Sequence, residues 1–187
     1  MDFEVQRCAW VIDDPLYVAY HDQEWGLPTH DDLILFEFLV LECFQAGLSW
    51  WTILKKRENF RKVFDGFDPE IVSTYTRARI DTLLLDSSII RNRRKINAAV
   101  TNAQAFLAIQ NHFGSFSKYL WSFVDGKQIV NSWKHQDEVP TYTVVALQLS
   151  QDMKRRGFVF VGPKVAYAYM QANGLVNDHT TNCFCYH

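Results

Sequence analysis

Residues 33–54 read LILFEFLVLECFQAGLSWWTIL and form the most apolar stretch of this 187-residue chain. Their length alone would fit a membrane span, but Glu37 and Glu42 fall inside the run and Gly47 interrupts it. Charged side chains inside a bilayer are costly. The stretch therefore predicts a buried helix that ends near Gly47 and is followed by a second helix, with no membrane contact.

The composition fits one globular domain. Hydrophobic residues make up 48% of the chain, and the formal net charge of -2 argues against a protein that coats nucleic acid nonspecifically. Residues 87–124, however, contain no Asp or Glu and carry the cations Arg91, Arg93, Arg94, Lys95 and Lys118. Such a basic segment is often only a solvated face, and it indicates DNA binding when an anion-binding backbone accompanies it.

The N-terminal segment is charged and has no apolar core of the signal-peptide type, so we expect a cytoplasmic protein. In that compartment cysteines are usually thiols or metal ligands rather than disulfides. This expectation applies to Cys8, Cys43, Cys183 and Cys185.

Helical periodicity dominates the chain, and no repeated βαβ pattern is present, which predicts an all-α fold. Long helical patterns cover residues 92–114, 143–157 and 165–174, whereas residues 125–142 read as a connecting loop. Residues 50–60 (WWTILKKRENF) read as one helix. Side chains typical of N-caps mark the helix starts at Asp14, Asp31, Ser49, Asp68, Thr76 and Ser115.

Thiols and imidazoles stand at both ends of the chain. Two thiolates with two imidazoles suit tetrahedral zinc, and a site closed by four protein ligands is structural because no position remains for a substrate water. The alternative is that each residue serves locally, as a buried thiol or an ordinary histidine. The candidate ligands are Cys8, His21, His179, Cys183, Cys185 and His187.

Four stretches stand in collinear order over nearly the whole chain: RCAWVIDDPLYVAYHDQEWGLP (7–28), LECFQAGLSWWTILKKRENF (41–60), SIIRNRRKINA (88–98) and GLVNDHTTNCFCY (174–186). Together they resemble the bacterial 3-methyladenine DNA glycosylase I (TAG) family. The resemblance implies a helix-hairpin-helix glycosylase with a single domain over residues 1–187. Residues 1–40 and 135–187 would form a lobe with the zinc site, and residues 41–134 a helical lobe with the hairpin around 83–96.

The resemblance also implies the activity. A member of this family flips 3-methyladenine, and as a further candidate 3-methylguanine, out of alkylated double-stranded DNA and hydrolyses the N-glycosidic bond. We expect a monofunctional monomer that acts at the nucleoid. By resemblance it holds one structural zinc per chain, with the ligands Cys8, His21, His179 and Cys183.

A base pocket is implied in the same way. The resemblance assigns Glu42 as its carboxylate and Trp10, Tyr17, Tyr20, Trp25 and Trp50 as its aromatic lining. An alkylated purine nucleotide is cationic, and aromatic faces and a desolvated carboxylate attract a cation. The methyl group alone would give discrimination of only about 1 to 3 kcal/mol. The alternative is that these rings belong to the core, as most tryptophans do.

The predicted DNA contacts surround this pocket. Gly47 lets the chain approach the minor groove, and Leu48 is an apolar wedge for the gap that a flipped base leaves. Lys55, Lys56 and Arg57 are expected within reach of the DNA backbone. The hairpin contributes Ser88, Arg91, Arg93, Arg94 and Lys95.

Some positions depart from the family pattern. Ser88 and Arg94 stand where the family hairpin usually has glycine, and the Ser88 amide can meet a phosphate only if its φ is negative. Arg94 adds a possible phosphate contact. Cys43 and Phe44 also replace small or polar neighbours of Glu42, so we expect them to reshape the pocket wall.

Two other functions remain open from the residues alone. One is a noncatalytic, zinc-stabilised DNA-binding protein that has lost the activity. The other is a metal hydrolase in which one ligand is displaced and the zinc activates water.

Overall fold

The computed structural model describes residues 5–186, and helices account for most of its regular structure. A short parallel pairing joins β1 (Ile129–Val130) to β2 (Val176–Asn177). This architecture confirms the all-α class, and within the described residues no helix combines the length and apolarity of a membrane span. The helices are α1 (Pro15–Gln23), α2 (Asp32–Gln45), α3 (Trp50–Leu54), α4 (Arg57–Val63), α5 (Pro69–Val72), α6 (Arg77–Leu85), α7 (Arg93–Phe113), α8 (Phe116–Trp121), α9 (Val144–Arg155) and α10 (Pro163–Ala172).

Helix α2 forms the centre of the core. Asp31 caps its N-terminus, and every residue from 35 to 44 is buried. The helix packs against α7, α8 and α10. The charge of Glu37 is compensated by Arg57 and Arg61, whose nitrogens lie 2.5 and 2.9 Å from Oε1. The apolar run is therefore a core helix, as predicted, and its Gly47 end opens towards the surface.

The predicted helix starts are confirmed by side-chain caps, but one helix is divided. Residues 50–60 form α3 and α4 rather than a single helix. The break occurs where the amide of Lys56 donates to the carbonyl of Ile53, a tighter turn than an α-helix makes. The confirmed caps are Asp14, Asp31, Ser49, Asp68, Thr76 and Ser115.

The segment 125–142 is more ordered than the predicted loop, because the C-terminal segment holds it. Strand β1 pairs with β2, and the amide of Thr181 donates to the carbonyl of Trp133. The buried carboxylate of Asp178 accepts further hydrogen bonds from Asn131 and from the Trp133 indole, both at 2.7 Å. The predicted lobe boundary at residue 40 falls inside α2, so the two lobes would share that helix.

Candidate active site

A cavity of about 240 Å³ is bordered by α1, α2, α3 and α10. Rings and one carboxylate form much of its wall, and glutamine side chains form much of the rest. The five predicted base-binding rings and Glu42 all lie here. The lining residues are Trp10, Tyr17, Tyr20, Trp25, Glu42, Gln45, Trp50, Gln136, Ala168 and Gln171.

The rings of this cavity hold one another in place. Tyr17 and Tyr20 are one turn apart on α1, which the Asp14 cap and Pro15 begin. Trp10 lies edge-on to Tyr17 and Trp25, with centroids 5.6 and 4.9 Å apart, and Tyr20 lies 5.0 Å from Trp50. Contacts of this kind stabilise aromatic pairs beyond the area they bury. The cavity wall is therefore formed before any ligand arrives.

Glu42 is the single charged residue of the cavity lining within residues 5–186. It is 4% exposed and has no hydrogen bond or ion pair among those residues, and burial raises its pKa to about 8. The Nε1 atom of Trp50 is likewise buried without a partner in the described part of the chain. Buried polar groups without partners are costly. The cavity therefore suits a polar ring that donates to the carboxylate or carries positive charge.

The sequence did not predict the glutamines of the cavity. Gln136 reaches it from a single 3₁₀ turn (Gln136–Glu138), and Gln171 is held by a 2.7 Å hydrogen bond to Asp178. No local pattern signals either position. Gln136 follows β1 and Gln171 lies on α10, so the two come from distant parts of the sequence.

The two residues that follow Glu42 do not reshape the cavity, and that prediction is wrong. Phe44 packs against Phe60 and Phe64, with centroids 4.8 and 5.8 Å away. The Cys43 Sγ atom accepts a hydrogen bond from the Asn102 amide at 3.5 Å. Consecutive side chains of a helix point in different directions, so both lie away from the face that carries Glu42.

A buried cluster of histidines and cysteines adjoins the cavity. The possible ligand atoms of His21, His179, Cys183 and Cys185 lie within 4.8 Å of one another. The 3.5 Å between Cys183 Sγ and His21 Nε2 is compatible with bonds of about 2.3 and 2.0 Å to one tetrahedral zinc. A 2.7 Å contact from His21 Nδ1 to Asp22 fixes the tautomer that presents Nε2. The donor set and its burial fit zinc.

The structure brings three of the four predicted ligands together but offers Cys185 where Cys8 was expected. Cys8 lies beside the cluster, and its Sγ accepts hydrogen bonds from the amide and the hydroxyl of Thr180 at 3.5 and 3.7 Å. Burial raises the pKa of Cys8 to about 11 and that of Cys185 to about 12. The alternative ligand His187 lies outside the described residues.

The cluster and the cavity share a wall. The Trp25 ring lies 4.6 Å from that of His179, and the Trp10 ring lies 5.2 Å from that of His21. Gly26 has a φ of +77°, and a Cβ there would come within 2.8 Å of the His179 ring. Ordering of the cluster therefore orders two of the five rings directly.

Comparison with known proteins identifies the family to which this chain belongs. Residues 10–186 match the family model for methyladenine glycosylases. The chain belongs to this family. It is 47% identical over 182 residues to DNA-3-methyladenine glycosylase 1 of Escherichia coli, covering 97% of each chain. It is 48% identical over 179 residues to DNA-3-methyladenine glycosylase of Haemophilus influenzae, covering 96% of this chain and 97% of the relative.

Solved structures of methyladenine glycosylases have the same fold. A crystal structure of 3-methyladenine DNA glycosylase I (TAG) is 49% identical, with a TM-score of 0.95, and covers 97% of this chain and 100% of that one. The Staphylococcus aureus enzyme, solved to explain its 3-methyladenine recognition, is 41% identical with a TM-score of 0.94. The coverage there is 97% of this chain and 96% of the other.

The segment between α6 and α7, where the methyladenine glycosylase resemblance predicted the hairpin, accommodates Ser88 without strain. Ser88 does not have a positive φ. Its amide donates to the Asp86 carboxylate at 2.8 Å, and its carbonyl accepts from the Lys56 ammonium at 3.0 Å. The Ser88 amide is thus engaged by Asp86 in this conformation and not presented outward.

The arginines of this segment remain at the surface. Arg91, Arg93 and Arg94 are exposed, and Arg93 forms an ion pair with Asp81 at 2.6 Å. The Arg94 guanidinium lies 5.9 Å from the centroid of the Phe160 ring. These side chains are available for the predicted phosphate contacts.

Two cations that were predicted to contact DNA are internal instead. The Lys95 ammonium donates to the carbonyls of Phe44 and Ala46 at 2.8 and 2.6 Å. The Arg57 guanidinium bonds Glu24 and Glu37. Each residue is only 7% exposed, so the predicted contacts of both with the DNA backbone are wrong for this conformation.

The segment 46–49, called the wedge loop below, follows directly after α2. Gly47 has a φ of +81°, which an L side chain rarely adopts. Leu48 is 40% exposed although it is apolar. The loop therefore presents a leucine at the surface next to the end of α2.

Proposed function

We propose that the protein is a DNA repair glycosylase that flips 3-methyladenine out of alkylated double-stranded DNA and hydrolyses its N-glycosidic bond. The observation that carries this proposal is the unpartnered carboxylate of Glu42 inside a cavity of five aromatic rings. A purine alkylated at N3 is cationic in the nucleotide, so it compensates the buried charge and stacks favourably on the rings. A neutral adenine does neither as well. The names of the relatives support the same substrate.

Once the base is bound, cleavage of the glycosidic bond needs little further catalysis by the protein. Alkylation already weakens the glycosidic bond, so a strong acid is unnecessary, and the main problem is selectivity. Glu42 acts as the recognition group for the cationic base rather than as a proton-abstracting base. We propose a monofunctional enzyme without Schiff-base chemistry, since no lysine is assigned the role of a nucleophile.

The DNA is held as a duplex by a monomer through a helix-hairpin-helix element. Leu48 fills the gap left by the flipped nucleotide, and Arg91, Arg93 and Arg94 contact phosphates. The Ser88 amide joins them if a phosphate replaces its bond to Asp86. Lys95 serves this surface indirectly, because it bonds the carbonyls that precede Gly47.

One zinc ion is proposed as a structural element. His21, His179 and Cys183 would hold it together with either Cys185 or Cys8. With four protein ligands it supplies folding energy and no bound water. It fixes the wall formed by Trp10 and Trp25 and does not enter the reaction.

Release of free bases from methylated duplex DNA tests this function. The expected result is 3-methyladenine in the supernatant well above the spontaneous rate, with abasic sites and no strand cleavage. The same separation resolves 3-methylguanine and 7-methylguanine. Binding of the duplex without any base release would instead indicate a noncatalytic DNA-binding protein.

A further inference from the structure

A second cavity, of about 200 Å³, lies between the base cavity and the wedge loop. It shares Glu42, Gln45 and Ala168 with the base cavity. Its other lining residues are Ala46, Gly47, Leu48, Lys164 and Val165. A nucleotide whose base occupies the first cavity, while Leu48 fills the gap in the duplex, has to pass its sugar and phosphates between the two. The second cavity lies on that path.

Lys164 is the one cation that lines either cavity among the described residues. It is exposed and has no ion pair or hydrogen bond within residues 5–186. It stands in the first turn of α10, where the N-cap Gly162 contributes no side-chain bond. The unpaired amides of that turn carry the positive end of the helix dipole and add to the charge of the ammonium.

The charges of the joined cavities match one kind of ligand. The unpartnered carboxylate of Glu42, 4% exposed, borders both cavities, and the Lys164 ammonium borders the second. An alkylated nucleotide has the complementary pattern, with a positive base and a negative phosphodiester. We propose that Lys164 binds a phosphate that flanks the flipped nucleotide, which makes the second cavity a phosphate subsite. This inference rests on the proposed function, since it requires a nucleotide that is flipped out of the duplex towards the first cavity.

The substitution K164Q tests the subsite because it keeps much of the side-chain length and removes the charge. The probes are a duplex with a stable abasic site and the matched intact duplex. The abasic duplex should bind about eightfold more weakly at 0.1 M salt, and its salt slope should fall by about 0.9. Binding of the intact duplex and of free 3-methyladenine, and the melting temperature, should not change.

K118Q is the matched control. Lys118 is exposed and follows Ser117, whose amide bonds Asp32 at the start of α2. That helix has 14 residues and is roughly 21 Å long, so Lys118 lies a helix length from the wedge loop. K118Q should behave as the wild type.

Three outcomes would contradict the assignment of the second cavity as a phosphate subsite. K164Q could match K118Q on both duplexes, could weaken both duplexes equally, or could lose affinity for the free base. A lesion-specific loss in K164Q together with no base release by the wild type would leave the subsite standing and reject the proposed excision.

Discussion

Burial of the Glu42 carboxyl in the folded protein has an electrostatic cost, and this cost makes the free energy of unfolding depend on pH. Burial raises its pKa from 4.5 to about 8. Between these values the unfolded chain releases the proton while the folded chain retains it, so the free energy of unfolding falls as pH rises through this window. Near neutral pH the cost remains, and a cationic base in the cavity relieves it by favouring the ionised carboxylate.

The substitution E42Q removes this cost because glutamine does not ionise. We expect the wild type to lose more free energy of unfolding than E42Q between pH 5 and pH 8, so that E42Q is the more stable protein at pH 8 without ligand. Urea unfolding at the two pH values measures this. E70Q, at an exposed glutamate, is the control and should follow the wild type. Parallel curves for the wild type and E42Q would contradict a buried carboxyl with a raised pKa.

Ser88 shows which features of the turn between α6 and α7 could be predicted from the sequence and which could not. Ser88 stands where the family hairpin usually has glycine, yet the position does not have a positive φ, so glycine is not required for the backbone. The engagement of its amide by Asp86 could not be read from the family pattern, because it depends on the local geometry of the turn.

At the level of elements, Lys95 joins the first turn of α7 to the wedge loop. It lies in the first turn of α7, and its ammonium bonds the carbonyls of Phe44 and Ala46 at the end of α2. Helix ends leave carbonyls without intrahelical partners, and Lys95 satisfies two of them. Lys95 therefore ties the start of α7 to the loop that carries Leu48.

The substitution K95M tests this link. Methionine keeps the apolar stem but leaves the two carbonyls unsatisfied, which should cost about 1 to 3 kcal/mol of stability. Excision should slow because the wedge loop is no longer held, whereas affinity for free 3-methyladenine should stay the same. Chemical unfolding, single-turnover excision and calorimetry give the three values.

K62M is the control for K95M, since Lys62 is exposed and has no hydrogen bond or ion pair among the described residues. It should leave excision unchanged. Unaltered excision in K95M, or a parallel loss of free-base affinity, would show that Lys95 does not act through the wedge loop.

The helix starts could be predicted because capping is local. Asp14, Ser49 and Thr76 each bond an amide within three residues. The errors at Arg57 and Lys95 have a different cause, since a cation in a basic segment is normally a surface residue. Their partners lie 20 to 51 residues away in the chain, and no local pattern encodes such a separation.

Across the whole molecule, the two ends of the chain meet at the histidine and cysteine cluster. Binding energy of a structural metal is folding energy when the site does not exist in the unfolded chain. C183S should therefore lose zinc and melt at a lower temperature, because Cys183 belongs to every ligand set considered. One zinc per chain at an unchanged melting temperature would contradict the assignment.

C8S and C185S identify the fourth ligand. Resemblance favours Cys8, and the geometry favours Cys185. Metal analysis of the two variants identifies the ligand. The variant that lacks the fourth ligand should lose the metal, and the other should retain one zinc per chain.

The site was predictable where it depended on residue types in a fixed order, as with Glu42 and the five rings. It was not predictable where distant segments supply the wall. Gln136 lies beyond β1, whereas Gln171 lies on α10 and bonds Asp178, and only the folded chain brings these segments together.

Recognition of the alkylated base by Glu42 is tested most directly by single-turnover excision in E42Q, where the base is still cationic in the nucleotide, paired with calorimetric binding of free 3-methyladenine. The predicted result is a marked loss of base affinity with slower excision and a measurable residual rate. The loss in rate should stay well short of the roughly ten-thousand-fold drop that follows removal of an essential catalytic group. Unchanged base affinity with abolished excision would contradict this assignment and make Glu42 the group that activates water.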